Sequence, residues 1–300
     1  LYIERKNMTE NSYIYFDWNI VKTIIEEKND PEVRGILDWL NARYSFPFSF
    51  AQLCDRQRGN AENIQQDLEF LKILSEEKMV TVFSNEDEKL QYLIEKQDIF
   101  SKYKEVRDSI PNYLIFELDN DILLDIQNTG FETYLKENPQ MFLPVMFAAY
   151  NRFENYPDLY KQVRDFMSQK GLENTDNIIS IIATKSRLSI EDINELSNIL
   201  SKLCGHSLSQ AEKMQYTYLL LDFKCSHVGE ESLQDKINRK NSFSNIYNDS
   251  LHMIAASCAK CFITKDKKTL RKSQIIYDVF KIKTKVVSWD EFKKNYCRKL

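Results

Sequence analysis

Glycine and proline are scarce in this chain of 300 residues, six of each. So few breakers leave little room for collagen-like repeats, flexible linkers or long turns. Only three histidines are present, and two of them, His206 and His227, stand without metal-like spacing. Six cysteines (54, 204, 225, 258, 261 and 297) are scattered without the spacing of a disulfide framework. They read as reduced thiols, which suits a cytoplasmic protein. The one C-x-x-C, Cys258 to Cys261, has no second pair, so both read as small core residues rather than half a zinc site. The longest apolar run, Met141 to Tyr150, is about half the length of a membrane span and contains Pro144. The charged stretch Leu1 to Glu10 has no apolar h-region and predicts no signal peptide. Met8 reads as the natural start, with residues 1–7 a remnant or an upstream extension; residues 1–11 as a whole form the N-terminal extension or tag remnant ahead of the expected domain. No G-x-x-x-x-G-K-[ST] or G-x-G-x-x-G occurs, which argues against nucleotide binding of those types.

What the chain does have is a core and an uneven charge. Apolar residues make up 43%, with sixteen Tyr and eighteen Phe. The formal net charge is −4, yet residues 260–300 hold 13 Lys/Arg against 4 Asp/Glu, and the remainder is strongly acidic. A basic tail beside acidic clusters fits a polyanion-binding surface around a cation-binding pocket; an ordinary solvated helix face fits as well.

The pattern along the chain is β-α-β-α-β, then helical, then α-β-α-β. Tyr13 to Phe16 is a short aromatic and β-branched strand ending at Asp17. Helices are predicted over 20–27 and from Pro31 to about Arg43. A second strand runs from Tyr44 to Phe48, and Ser49 caps a helix through Asp55. Ile64, Leu68, Leu71 and Leu74 mark a helix over 60–75, and Met79 to Phe83 is a third strand. From 86 to 240 the signals are helical: helices begin with Leu90, Leu93, Ile94 and Ile99, and others cover 131–150, 157–170, 189–203 and 210–225. A helix from Asp249 to Ala259 then leads into strand Cys261–Thr264, a helix over 268–280 and strand Lys285–Ser288. The expected organisation is one α/β domain with a parallel sheet (12–85 plus 241–300), interrupted by an all-helical insertion, 86–240.

Open parallel sheets bind ligands beyond the carboxyl ends of their strands. Asp17 and Asp266 follow strands, Asp249 opens the helix into one, and Asp55 lies one to two helical turns past another. Carboxylates converging on one edge repel unless a divalent cation neutralises them, and Mg²⁺ or Mn²⁺ suits oxygen ligands. Taken singly, each Asp also reads as a turn former or helix cap. His252 sits one turn after Asp249 on the same helical face, a donor that steadies Asp249 or a packing residue.

Tyr15-Phe16-Asp17-Trp18-Asn19 resembles the opening strand–Asp–x–Asn of PIN-domain nucleases. Asp249-Ser250-Leu251-His252-Met253-Ile254-Ala255-Ala256 resembles their D-x-x-H/I-x-x-A-A helix, and Phe262-Ile263-Thr264-Lys265-Asp266 their closing apolar–apolar–Thr–x–Asp. Phe46-Pro47-Phe48-Ser49 with Leu53 and Asp55 is similar to their second strand and helix. The family has Glu at the second acidic position; here Asp55 stands there, with Glu62 and Asp67 as rivals. The resemblance covers about 12–85 and 241–300 and is nearest to larger bacterial PIN-like proteins. It implies a three-layer α/β/α domain and Mg²⁺- or Mn²⁺-dependent endoribonuclease activity. Catalysis would fall to Asp17, Asp55, Asp249 and Asp266, with Asp17, Asp249 and Asp266 holding metal. Asn19, Asn248, His252 and Thr264 would support those acids. Lys265, Lys267, Lys268, Arg271 and Lys272 would meet phosphates of single-stranded RNA. A stress, toxin–antitoxin or defence setting would add a cognate inhibitor or partner protein, and the reading leaves room for a homodimer but none for a membrane. The competing readings are a catalytically inactive PIN-like module that binds RNA or protein, and another Mg²⁺-dependent phosphohydrolase. The second lacks D-x-D spacing at Asp17-Trp18-Asn19.

Overall fold

β1 (Ile14–Phe16) is buried on both faces, as three consecutive large apolar residues require. The computed structural model describes residues 13–58, 61–85, 89–109, 120–138, 207–221 and 243–296, with a few isolated positions between 141 and 191. The expected helices over 157–170 and 189–203 lie outside the described residues. Among those described, no helix is long and apolar enough to cross a membrane.

Asp17 ends β1 and starts α1 (Trp18–Glu26), whose Trp18, Ile20, Val21 and Ile24 form a buried stripe. α2 (Pro31–Asn41) begins with Pro at its first position and the Asp30 side chain accepting from the Glu32 N–H, 2.8 Å. α3 (Phe50–Asp55) follows Ser49, and α4 (Ala61–Ser75) leads to β2 (Lys78–Ser84) and β3 (Leu90–Lys96). Then come α5 (Ile99–Ser109), α6 (Asn120–Thr129), α7 (Phe131–Glu137), α8 (Gln210–Leu220) and α9 (Phe243–Ala256). β4 (Cys261–Thr264), α10 (Lys267–Val279) and β5 (Lys285–Ser288) complete the order, followed by a helical turn at Trp289–Glu291.

The fold is mixed α/β. β1, β4 and β5 form a parallel sheet in the order β1-β4-β5, with Ile14 opposite Cys261 and Cys261 opposite Lys285. Asp17 extends that ladder, its N–H donating to the Ile263 carbonyl at 3.0 Å. Beyond β1, Ser45 bridges to Tyr13 and Phe48 bridges to Met79, both parallel. The expected strand 44–48 is therefore two isolated bridges, broken around Pro47, which has no N–H to offer a ladder.

The chain forms two compact units. One comprises Leu1–Ser109, Ser209–Met214 and Leu251–Leu300; the other comprises Ile110–Leu208 and Gln215–Ser250. In the second unit, α6 and α7 are joined by Gly130 at φ +82°, a conformation that favours glycine.

Four further expectations change. Leu90, Leu93 and Ile94 do not open a helix; they lie in β3, which pairs antiparallel with β2 from Lys78–Lys96 to Ser84–Leu90. Asn85 closes the connection: its N–H donates to the Lys89 carbonyl, and its side chain accepts from the Lys89 N–H. Apolar residues three and four apart also fit a half-exposed strand, and the hairpin decides between them. Of the helix expected from 131 to 150, α7 covers Phe131–Glu137 with its C-cap at Asn138, and most of 139–150 lies outside the described residues; of that expected over 210–225, α8 covers Gln210–Leu220, and 222–225 lie outside them. The helix expected to open at Asp249 opens at Phe243, so Asp249 is in its interior, not its first turn.

Candidate functional site

The site is built where β1 and α3 end. β1 delivers Tyr15 and Asp17 to the same side, since strand residues two apart share a face. α3 is docked beside them by Gln52. Its side-chain carbonyl accepts from the Ser49 N–H at 2.9 Å, and its amide donates to the Phe16 carbonyl at 2.8 Å. Gln52 thus satisfies the start of α3 and the end of β1 with one buried side chain. Asp55 is the last residue of α3. Arg56, just after it, lies over the Trp18 ring at 4.2 Å and pairs with Asp67, which holds the turn after Asp55 against α1 and α4.

His252 arrives from the other end of the chain on α9. Two phenols clamp the neighbouring turns: Tyr13 donates to the Ala255 carbonyl at 2.7 Å, and Tyr277 to the Met253 carbonyl at 2.5 Å. The imidazole is 1% exposed. Its Nε2 is 2.8 Å from Asp55 Oδ2 and 3.8 Å from Asp17 Oδ1. Its Nδ1 is 2.8 Å from the Tyr15 hydroxyl, which lies 2.5 Å from Ser49 Oγ. Ligand atoms of Asp17, Asp55 and His252 all fall within 4.8 Å of one another.

The electrostatics follow from burial. Asp17 is 5% exposed, and desolvation pushes its carboxyl above the ordinary range. His252 and the Thr264 hydroxyl pull it back down, while the Asp55 charge adds to the rise. Burial likewise lifts the Tyr15 phenol well above its ordinary value, against the Ser49 hydrogen bond that lowers it. Tyr15 therefore remains a neutral hydroxyl able to donate or accept. Thr264, fully buried, donates to Asp17 Oδ2 at 2.6 Å and accepts from the Asp266 N–H at 3.0 Å. In the Thr-x-Asp sequence the backbone of the acid thus orients the hydroxyl that holds Asp17.

The sequence-derived residues separate accordingly. Asp17 makes no side-chain cap to the helix it starts, so its carboxylate faces the group. Asp266 does cap: one oxygen accepts from the Lys268 and Thr269 N–H groups at 2.7 and 2.8 Å, and its side chain is on the exposed start of α10. Asp55 belongs to the group, whereas its rival Asp67 is paired with Arg56 and Glu62 is exposed on α4. Asn248 and Asp249 fall in the second unit, both half-buried on α9. Asn19 is exposed. Lys265, Lys267, Lys268 and Arg271 are exposed, and Lys272 is half-buried. His252 is itself a member of the group. Tyr15, Ser49 and Gln52 are members of its surroundings that the sequence reading passed over. Two signals pointed to them: Tyr15 lies two residues before Asp17 on one strand face, and Ser49 precedes Gln52 with capping-box spacing.

Cys258 and Cys261 do not join any metal-like group among the described residues. Burial pushes their thiols up to about 11 and about 12, and that of Cys54 up to about 12. Such thiols remain protonated, as packing residues do.

Two carboxylate oxygens and one imidazole nitrogen form a donor set suited to a divalent cation of the Mn²⁺ type, because imidazole favours first-row transition metals and carboxylate accepts either. A buried carboxylate whose charge is disfavoured by desolvation fits the same ion. No family model, no curated protein and no solved structure matches this chain.

Proposed function

We propose that this chain is a metal-dependent phosphodiester hydrolase acting on RNA, built on a PIN-like α/β domain. One observation carries the reading: Asp17, Asp55 and His252, up to 235 positions apart in sequence, meet at the carboxyl end of a parallel strand. Their carboxylates and imidazole would hold the cation, with Thr264 fixing Asp17 and Tyr15 fixing the ring. When bound, Mn²⁺ or Mg²⁺ supplies Lewis acidity toward a phosphate and activates water. The basic residues of α10 support a polyanionic substrate. Lys267 and Lys268 lie exposed on the first turn of that helix, with Arg271 exposed one turn on.

The test is cleavage of single-stranded RNA by the purified chain with Mn²⁺, Mg²⁺ or chelator. Cleavage with Mn²⁺ that Asp17→Asn and Asp55→Asn both abolish is expected. Equal cleavage by both variants overturns the assignment.

A second reading is a catalytically inactive module of the same fold that binds RNA or protein. The 2.8 Å contact between His252 and Asp55 favours it, because an imidazole N–H placed there satisfies the carboxylate without a metal. Wild-type chain that binds RNA but cleaves none with any divalent cation would establish it.

A further inference from the structure

The group at Asp17 continues inward as a buried chain of polar contacts. It runs from Ser49 Oγ to the Tyr15 hydroxyl, 2.5 Å, to His252 Nδ1, 2.8 Å, and through the ring from Nε2 to Asp55 Oδ2, 2.8 Å. Ser49, Tyr15 and His252 are all at least 98% buried. Either oxygen can be the donor in the Ser49–Tyr15 contact, and the Tyr15–His252 contact runs in either direction according to the ring tautomer.

That reversibility has a consequence for ligation. A ring nitrogen binds a metal only through its lone pair, so Nε2 can face a cation only if the ring proton sits on Nδ1. The Nδ1–H must then have an acceptor, and the nearest is the Tyr15 oxygen. Tyr15 in turn sends its own proton to Ser49 Oγ. When Nε2 instead carries a proton and donates it to Asp55, Tyr15 donates to Nδ1 and accepts from Ser49. The two states differ by the ring proton, which leaves Nε2 for Nδ1, and by rotation of two hydroxyls; the Ser49–Tyr15–His252 contacts persist in both, while the Nε2–H bond to Asp55 gives way to the cation.

Resting on the metal-site reading above, we propose that His252 is a metal ligand through Nε2 and that Tyr15, backed by Ser49, is the positioning residue that gives it the ligating tautomer. The nitrogen ligand tilts the site from Mg²⁺ toward Mn²⁺ and Zn²⁺. Tyr15 does not touch metal or substrate; it acts through the imidazole.

The experiment is side-chain ¹⁵N–¹H correlation spectroscopy of the full chain, titrated with Zn²⁺ as a diamagnetic probe. It is paired with Mn²⁺ affinities of wild type, Tyr15→Phe and Ser49→Ala by titration calorimetry. With three histidines in the chain, a His252→Gln spectrum assigns the ring. Expected is a metal-bound Nε2 signal with Nδ1 protonated, and Mn²⁺ affinity about tenfold or more weaker in Tyr15→Phe, with a smaller loss in Ser49→Ala. Thermal unfolding of the metal-free variants separates loss of affinity from loss of fold. Metal binding with an unshifted His252 Nε2, or Tyr15→Phe binding Mn²⁺ as wild type does, overturns this inference and leaves the carboxylate site standing. Wild type that binds neither Mn²⁺ nor Zn²⁺ overturns both. The wild-type spectrum decides the ligation even if the variants fail to fold.

Discussion

Replacing Asp17 by Asn is expected to make the metal-free chain more stable at neutral pH while removing its capacity for metal. Asp17 is a buried carboxyl whose folded pKa is raised, chiefly by desolvation. Its proton is therefore bound more tightly in the folded than in the unfolded chain. The stability that this proton contributes is fully present below the unfolded value of about 3.9, and it is lost as pH rises to the folded value. Above that, wild type carries a constant deficit of about 1.4 kcal/mol for each unit of upward shift. Asn keeps the acceptor for the Thr264 hydroxyl and carries no charge, so its profile lacks this term. A gain of about 1 kcal/mol corresponds to about 2–4 °C in melting temperature for a domain of 150–250 residues. Thermal unfolding in chelator between pH 4 and 7.5 measures it; the gain should shrink as pH falls toward 4. Added Mn²⁺ at 100 times its Kd should stabilise wild type by about 2.7 kcal/mol and the variant little, reversing their order. An Asp17→Asn chain less stable than wild type at pH 7 in chelator, or one stabilised equally by Mn²⁺, would refute the reasoning.

Asp266 and Thr264 give contrasting outcomes. Asp266→Ala removes the acceptor for two N–H groups of α10. It should cost about 1 kcal/mol in denaturant unfolding, as cap losses do, with Mn²⁺ affinity unchanged by calorimetry. Thr264→Val has nearly the same shape but strips the donor from Asp17 and the acceptor from the Asp266 N–H. It should cost about 1–3 kcal/mol and weaken Mn²⁺ binding about tenfold.

Much of the sheet was legible because its signals are local. Ile14 to Phe16, Cys261 to Thr264 and Lys285 to Ser288 are short apolar runs next to capping residues, and the parallel pairing of β1 with β4 and of β4 with β5 follows from helices lying between strands. β3 was not legible, because Leu90, Leu93 and Ile94 satisfy a helical period by accident and only pairing with β2 reveals the strand. At the site, an Asp after a strand looks the same whether it faces a ligand or caps a helix. Asp17 and Asp266 share that position, and only the direction of the carboxylate, inward in one and onto backbone N–H groups in the other, separates them. His252 was hidden for a different reason. Helical spacing ties it to Asp249, while its ring is held by Tyr15 and Asp55, which no periodicity connects to it.

The register of β1 against β4 joins residue 14 to residue 261. A ribosome that has released residues up to 250 has delivered both carboxylates and the phenol, yet neither the imidazole, the threonine that steadies Asp17, nor the neighbouring strand exists. Pairing at such separation comes late, since long loops must close before the contact rewards them. Assembly of this centre is therefore timed by synthesis itself: the nascent chain stays without it until the segment 251–264 emerges, and a C-terminal truncation before that segment leaves Tyr15, Asp17 and Asp55 as an open half.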